Sequence, residues 1–174
     1  MNAVMDRQEL LELYSHGERN FTEIRFNDGD LYAINLSGAD LSNVIWEEFD
    51  LSRANLRGVN LRDAKLKDSC FDHSDLSAAN MRGANLRWSS FNFANLTEAD
   101  LREIICENNS FYQANLVGAN LMGVNFGEAN LRKADLRGAN LTGADLTKVI
   151  FDKTIMPDGR IQNGNHRRLE VENK

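Results

Sequence analysis

Every fifth residue from Phe21 to Phe151 is apolar, over 27 consecutive positions held by 17 Leu, 7 Phe and the three residues Trp46, Met81 and Cys106. Two residues before each, in nearly every case, sits a small or apolar side chain, most often alanine, as in Ala114-Asn115-Leu116, Ala119-Asn120-Leu121 and Ala139-Asn140-Leu141. A helix repeats every 3.6 residues and a strand every two, so neither satisfies a period of five. Self-similarity at a short fixed period is instead the mark of a solenoid.

The unit explains itself physically. In an extended stretch Ala and Leu, two apart, point to one side, and the Asn or Asp between them points to the other. The two remaining residues must turn the chain. Four such corners close a coil in about 20 residues, if each turns the chain by about 90°. The sequence tests that number. Phe71, Phe91, Phe111 and Phe151 share one column of a 20-residue coil. Between residues 30 and 145 the Asn/Asp slot is broken at Ile45, Lys65 and Ile105 in one column, and at Cys70, Ser90 and Ser110 in the next. Scattered exceptions would not sort themselves into two adjacent columns. Four walls follow, starting at Phe21, Phe26, Leu31 and Leu36, and residues 21–151 give a rod on the order of 30 Å long at ~4.8 Å per coil.

The chain resembles the pentapeptide-repeat proteins over residues 21–156. That resemblance implies an all-β fold, a right-handed quadrilateral β-helix. The opening Glu9-Leu10-Leu11-Glu12-Leu13-Tyr14 with Gly17-Glu18-Arg19-Asn20-Phe21, and the closing Ile155-Met156-Pro157-Asp158-Gly159, look like the ends of cyanobacterial members.

The ends also read on their own terms. Residues 1–20 are expected to form a helical N-terminal cap, with the helix over 6–16. Asp6 and Glu9 have capping-box spacing, Leu10, Leu11, Leu13 and Tyr14 form an apolar face, and Gly17 suits a left-handed stop. Leu10, Leu13 or Tyr14 should cover Phe21 and Phe26. At the other end Met156-Pro157-Asp158-Gly159 is turn chemistry, placing Ile155, Met156 and Ile161 over the last coil. Residues 157–174 are a turn and a polar tail.

Charge and composition narrow the function. The 174 residues carry a net charge of −6, with −5 on residues 21–151. That argues against direct nucleic-acid binding, which wants a basic stripe. There is no signal-like leader and no apolar run of membrane-spanning length, so a soluble cytoplasmic monomer is expected. Cys106 falls in an inward slot and Cys70 about two coils away in an outward one, which excludes a disulfide between them.

Chemistry-bearing constellations are missing. His16, His73 and His166 lie in the cap, on a wall and in the tail. No Cys/His spacing suits zinc, no phosphate loop appears, and Glu47 with Glu48 is an exposed pair on a coil wall. A non-enzymatic protein without cofactor or metal is expected. Asn109 is the one strongly polar side chain at an alanine-type slot, read as a local structural adjustment, and Phe49 should swell its coil. Arg62, Arg82 and Arg102 form a column with Asp63 and Glu103 beside them, the pattern of a solvated face.

The candidate site is a set of outward aromatics around the edge shared by the second and third walls: Tyr32, Trp88, Phe93 and Tyr112, with His73 below Phe93 in one column. Clustered exposed aromatics anchor protein interfaces. The leading expectation is therefore a rigid scaffold or protein-interaction module whose protein partner is unknown. The resemblance adds that one cyanobacterial relative acts in heterocyst differentiation. It also supplies the alternative, a DNA mimic that binds the type II topoisomerase gyrase, as some family members do. Thirteen basic residues within 21–151 and an uninterrupted register fit that alternative less well.

Overall fold

The computed structural model describes residues 4–22, 24–26 and 29–164. His166 and the rest of the expected tail from residue 165 onward lie outside the described residues.

Within each repeat the Asn/Asp-slot residue forms a single parallel β-bridge to its counterpart 20 residues on, from Asn20↔Asp40 up to Asp135↔Ile155. The bridges are too short to count as strands, because a turn follows every third residue. Backbone N–H groups donate to the coil above and below, as in Phe71 N to Ser90 O (2.7 Å) and Cys70 N to Phe49 O (2.8 Å). Each turn closes on itself as well, as in Ala54 N to Leu51 O at 3.1 Å. The second turn residue usually has positive φ, as a type II turn requires. Glycine supplies it without strain at Gly38 and Gly58, but Ala33, Arg53, Trp88 and Phe93 adopt it too.

The inward pair fills the rod. Leu and Phe of the five-residue register are almost all fully buried, and so are the alanines beside them. Phe71 and Phe91 stack with centroids 4.7 Å apart and planes 1° from parallel, and Phe91 and Phe111 at 5.2 Å and 11°. The 20-residue column is thus a physical stack. Near the start Phe26, Trp46 and Phe49 pack as a second aromatic group, with Trp46 and Phe49 stacked at 5.4 Å. Phe49 fits there because its column partner is Gly29. A Cβ on Gly29 would lie 2.9 Å from the Glu48 carbonyl oxygen.

Ser69, Ser89 and Asn109 in the alanine slot follow one rule, whereas Ser74 donates its hydroxyl to its own turn carbonyl at Phe71. Phe49 N–H donates to Ser69 Oγ (3.2 Å), Ser69 N–H to Ser89 Oγ (3.3 Å), and Ser89 N–H to Asn109 Oδ1 (3.2 Å). The hydroxyls of Ser69 and Ser89 donate in turn to the carbonyls of Trp46 and Leu66. Asn109 is therefore the top rung of a buried ladder, the structural adjustment expected of it. Its Nδ2 has no partner.

At the start, β1 (Val4–Met5) pairs in parallel with β2 (Arg25–Phe26), and α1 spans Arg7–Ser15 between them. Asp6 accepts from Glu9 N–H at 2.9 Å, and Gly17 follows the helix with φ +95°. Only Leu10 of the expected apolar face is fully buried; Leu11 and Leu13 are exposed. Tyr14 packs partly against the core and donates from its hydroxyl to Ser37 O at 2.8 Å. At the other end β3 (Thr154–Ile155) and β4 (Ile161–Gln162) form an antiparallel hairpin. The hairpin corrects one expectation. Ile161 is 64% exposed and covers nothing, because pairing with Ile155 takes it out of the coil register. Leu141, Ala144 and Leu146 of the last coil remain only partly buried.

Candidate functional site: an aromatic-edged wall

The third wall is the middle of the site. Its outward slots hold Cys70, Ser90 and Ser110 where Asn or Asp is the rule. Elsewhere the Asx side chain accepts the N–H two residues on, as Asp50 does from Ser52 at 2.9 Å. Here Asp72 in the turn takes that role across coils. Its carboxylate accepts from Ser90 Oγ, from Asn92 N–H (2.8 Å) and from Asn92 Nδ2 (3.2 Å). Ser110 Oγ then donates to Asn92 Oδ1 at 2.6 Å. Ser90 and Ser110 thus belong to one side-chain network along the wall, while Cys70 Sγ accepts from Ser52 Oγ at 3.1 Å.

Aromatic residues border this wall at both corners, which corrects the expectation of a single edge. Trp88 stands in the turn between the second and third walls, 52% exposed, with Lys67 Nζ 4.7 Å from its ring centroid. Phe93 stands in the turn between the third and fourth walls, 44% exposed. The His73 and Phe93 rings stack there at 4.7 Å and 1°, and Tyr112 meets Phe93 edge-on at 5.5 Å and 86°. Lys133 Nζ donates to the Tyr112 hydroxyl at 3.0 Å, which raises the pKa of that ammonium. His73, Phe93 and Tyr112 are therefore brought together, Trp88 faces them across one wall, and Tyr32 is elsewhere. Tyr32 lies four coils before Tyr112 in the same column, and its carbonyl accepts from Arg7 Nη2 at 2.8 Å. Sequence reasoning missed the lysines. Their signal was present, because Lys67 and Lys133 are each 21 residues from the ring they meet, one coil plus one.

The arginine column is occupied internally. Arg62 pairs with Asp63 (3.1 Å), Arg82 with Glu103 (2.8 Å) and Arg102 with Asp100 (2.6 Å). Hydrogen bonds from Arg102 and Arg82 hold the Asp100 and Glu103 carboxyls below their ordinary pKa. A cleft of about 420 Å³ opens at the second and third walls between Glu107, Asn108, Glu128, Asp145 and Lys148. Glu107 is held by Arg87 there at 3.1 Å. Among the described residues no group of three His, Cys, Asp or Glu is placed to hold a metal ion, and no helix is long and apolar enough to cross a membrane.

Comparison with known proteins matches this geometry. The family model described as pentapeptide repeats matches residues 34–72, 69–105, 89–127 and 119–156, in 8 copies. Rfr23, a pentapeptide repeat protein from the cyanobacterium Cyanothece 51142, is 23% identical, covering 86% of this chain and 97% of that one with a TM-score of 0.53. HetL, a pentapeptide repeat protein involved in heterocyst differentiation regulation from Nostoc sp. strain PCC 7120, is 25% identical over 91% of this chain and 100% of that one, with a TM-score of 0.34. QnrB1, a plasmid-mediated fluoroquinolone resistance protein, is 20% identical over 74% of this chain and 84% of that one, with a TM-score of 0.30. No curated protein matches the sequence. With repeats matched from residue 34 to 156 and every bridge 20 residues long, the chain belongs to the pentapeptide-repeat family, whose members fold as right-handed β-helices.

Proposed function

We propose that this chain is a non-enzymatic scaffold: a four-sided β-helix over residues 21–156, covered at its start by residues 1–20, that binds a protein partner through its third wall. The observation that carries this is the pairing of exposed aromatics with cations at both corners of one wall, Lys67 with Trp88 and Lys133 with Tyr112. Aromatic anchors held rigid before binding lose little side-chain freedom on association. The wall between them is already hydrogen-bonded within itself, so it presents a fixed surface. A cytoplasmic setting and a monomeric rod belong to the same reading.

The gyrase-binding alternative needs an acidic rod. Pairing of Arg62, Arg82 and Arg102 with the acids of the first wall weighs for the scaffold instead. Affinity capture from a native lysate tests the proposal. The intact chain should retain a stoichiometric partner, and Trp88→Ala, Phe93→Ala and Tyr112→Ala together should release it without lowering the melting temperature. Undiminished capture by the triple variant would remove this wall from consideration, and protection of gyrase in a supercoiling assay would favour the alternative.

A further inference from the structure

The corner between the third and fourth walls carries a charge pattern that the rest of the rod lacks. Its turn tips from the second coil onward are Arg53, His73, Phe93, Gln113, Lys133 and Lys153. They stack without a break. Arg53 N–H donates to Asp72 O, His73 N–H to Asn92 O, Phe93 N–H to Tyr112 O, Gln113 N–H to Arg132 O and Lys133 N–H to Asp152 O, all between 2.7 and 3.0 Å. Six exposed side chains therefore stand in a line, on the order of 24 Å long at ~4.8 Å per coil. No carboxylate occupies that line. Each of the other three lines of turn tips carries some: Glu98 on one, Asp63 and Glu103 on another, Glu48, Asp68 and Glu128 on the third. On a chain of net charge −6, a basic and aromatic line is a sorted feature.

Backbone conformation adds a second, independent observation. All six residues have φ between 52° and 61°. Long side chains rarely adopt that region, and glycine holds the same position at Gly38, Gly58, Gly118 and Gly138 on the neighbouring corner. Here no tip is glycine, a property shared only with Glu48, Asp68, Trp88 and Asn108 at the other corner of the third wall, where acids and not bases are mixed with the aromatic residue.

The neighbouring groups are accounted for. Asp72 is turned onto the wall by Ser90 and Asn92, whereas the Asp152 carboxylate lies near enough to Lys133 to act on its charge. Arg132 adds a further exposed cation beside Lys133. The His73 and Phe93 rings each spend one face on the other. Ring edges are the positive part of the aromatic quadrupole and favour anionic or carbonyl oxygen. Nucleobases stack on free ring faces, and one face of each ring is already taken here by its neighbour.

We infer that this corner is a docking stripe for an acidic protein segment that carries apolar side chains, with the cations meeting its carboxylates and Phe93 meeting its apolar groups. This rests on the scaffold reading and names the chemistry of its partner.

Fluorescence anisotropy tests it with three labelled probes: a short peptide of repeated Glu-Glu-Leu, its Lys-Lys-Leu counterpart, and an oligouridylate of similar length. The full chain should bind the glutamate peptide alone, and added salt should weaken that binding. Lys133→Glu with Lys153→Glu should weaken it about tenfold or more, whereas Trp88→Ala, at the other corner, should leave it unchanged. Thermal melts confirm that the variants fold. Absence of binding to the glutamate peptide, binding indifferent to the double reversal, or tighter binding of the oligouridylate each overturns the stripe. The scaffold reading fails separately. A captured partner lost from the triple alanine variant but kept by the double reversal sinks the stripe alone. Stripe-dependent peptide binding with no effect of the triple variant on capture sinks the wall alone.

Discussion

Ser89 occupies a slot that alanine fills at 13 of its counterparts, yet alanine could not replace it without loss. Ser69 N–H donates to Ser89 Oγ and makes no bond to its own turn carbonyl. Ser89→Ala should therefore leave a buried donor unpaired and destabilise the fold by about 1–3 kcal/mol. Urea melts of the two proteins measure this, and equal midpoints would show that the Ser69 turn simply recloses. The cysteines give a second expectation at this scale. Cys106 is buried and its thiol is pushed up to about 12, chiefly by burial, whereas Cys70 is half-buried on the third wall. Titration with a thiol reagent at neutral pH should count one reactive group in the native protein and two in denaturant, because the thiolate is the reactive species. Two fast groups in the native state would mean that the second wall opens around Cys106.

Among the elements, the phenylalanine stack and the first helix make the sharpest expectations. Phe91 lies between Phe71 and Phe111 with every atom of the stack buried. Phe91→Ala should cost about 3–5 kcal/mol, and Phe91→Leu much less, since leucine fills the same register at 17 positions. A similar cost for both substitutions would show that ring stacking, and not filled volume, holds the column. The helix depends on one side chain. Leu10 is fully buried while Leu11 and Leu13 face solvent, so the apolar face read from spacing was broader than the one used. The reason is the short β1 strand, which places Met5 against the first coil and takes space that the helix was expected to fill. Two residues of strand have no periodicity to read.

For the whole molecule, stability should follow the titration of carboxylates paired along the walls. Asp100 and Asp135 are partly buried and hydrogen-bonded by Arg102 and Arg137, which depress both pKa values below 3.8. A depressed carboxylate stabilises the folded state above its unfolded pKa, and that contribution disappears as pH falls through the folded value. Thermal melts should thus be level from neutral pH down to the ordinary aspartate range and decline below it. Asp100→Asn with Asp135→Asn should flatten that decline. An unaltered acid limb in the double variant would assign it to other groups. A solenoid's coils contact only their neighbours, so local damage of this kind should spread little along the rod.

A strict five-residue register buries Leu, Phe and Ala together, so the 20-residue coil length and the Phe71–Phe91–Phe111 column could be read from the chain before any coordinates. The same register located His73, Trp88, Phe93 and Tyr112 to their turns. Chain order already sets Trp88 between the second and third walls and Phe93 with Tyr112 between the third and fourth, so the single edge was a misreading of the register. The Asp72 network and the lysines on the rings arise from contacts between coils, which join residues 18 to 23 apart through side-chain reach and turn conformation, neither of which a pattern of apolar residues encodes. The hairpin that carries Ile161 away from the last coil is a local pairing outside the repeat.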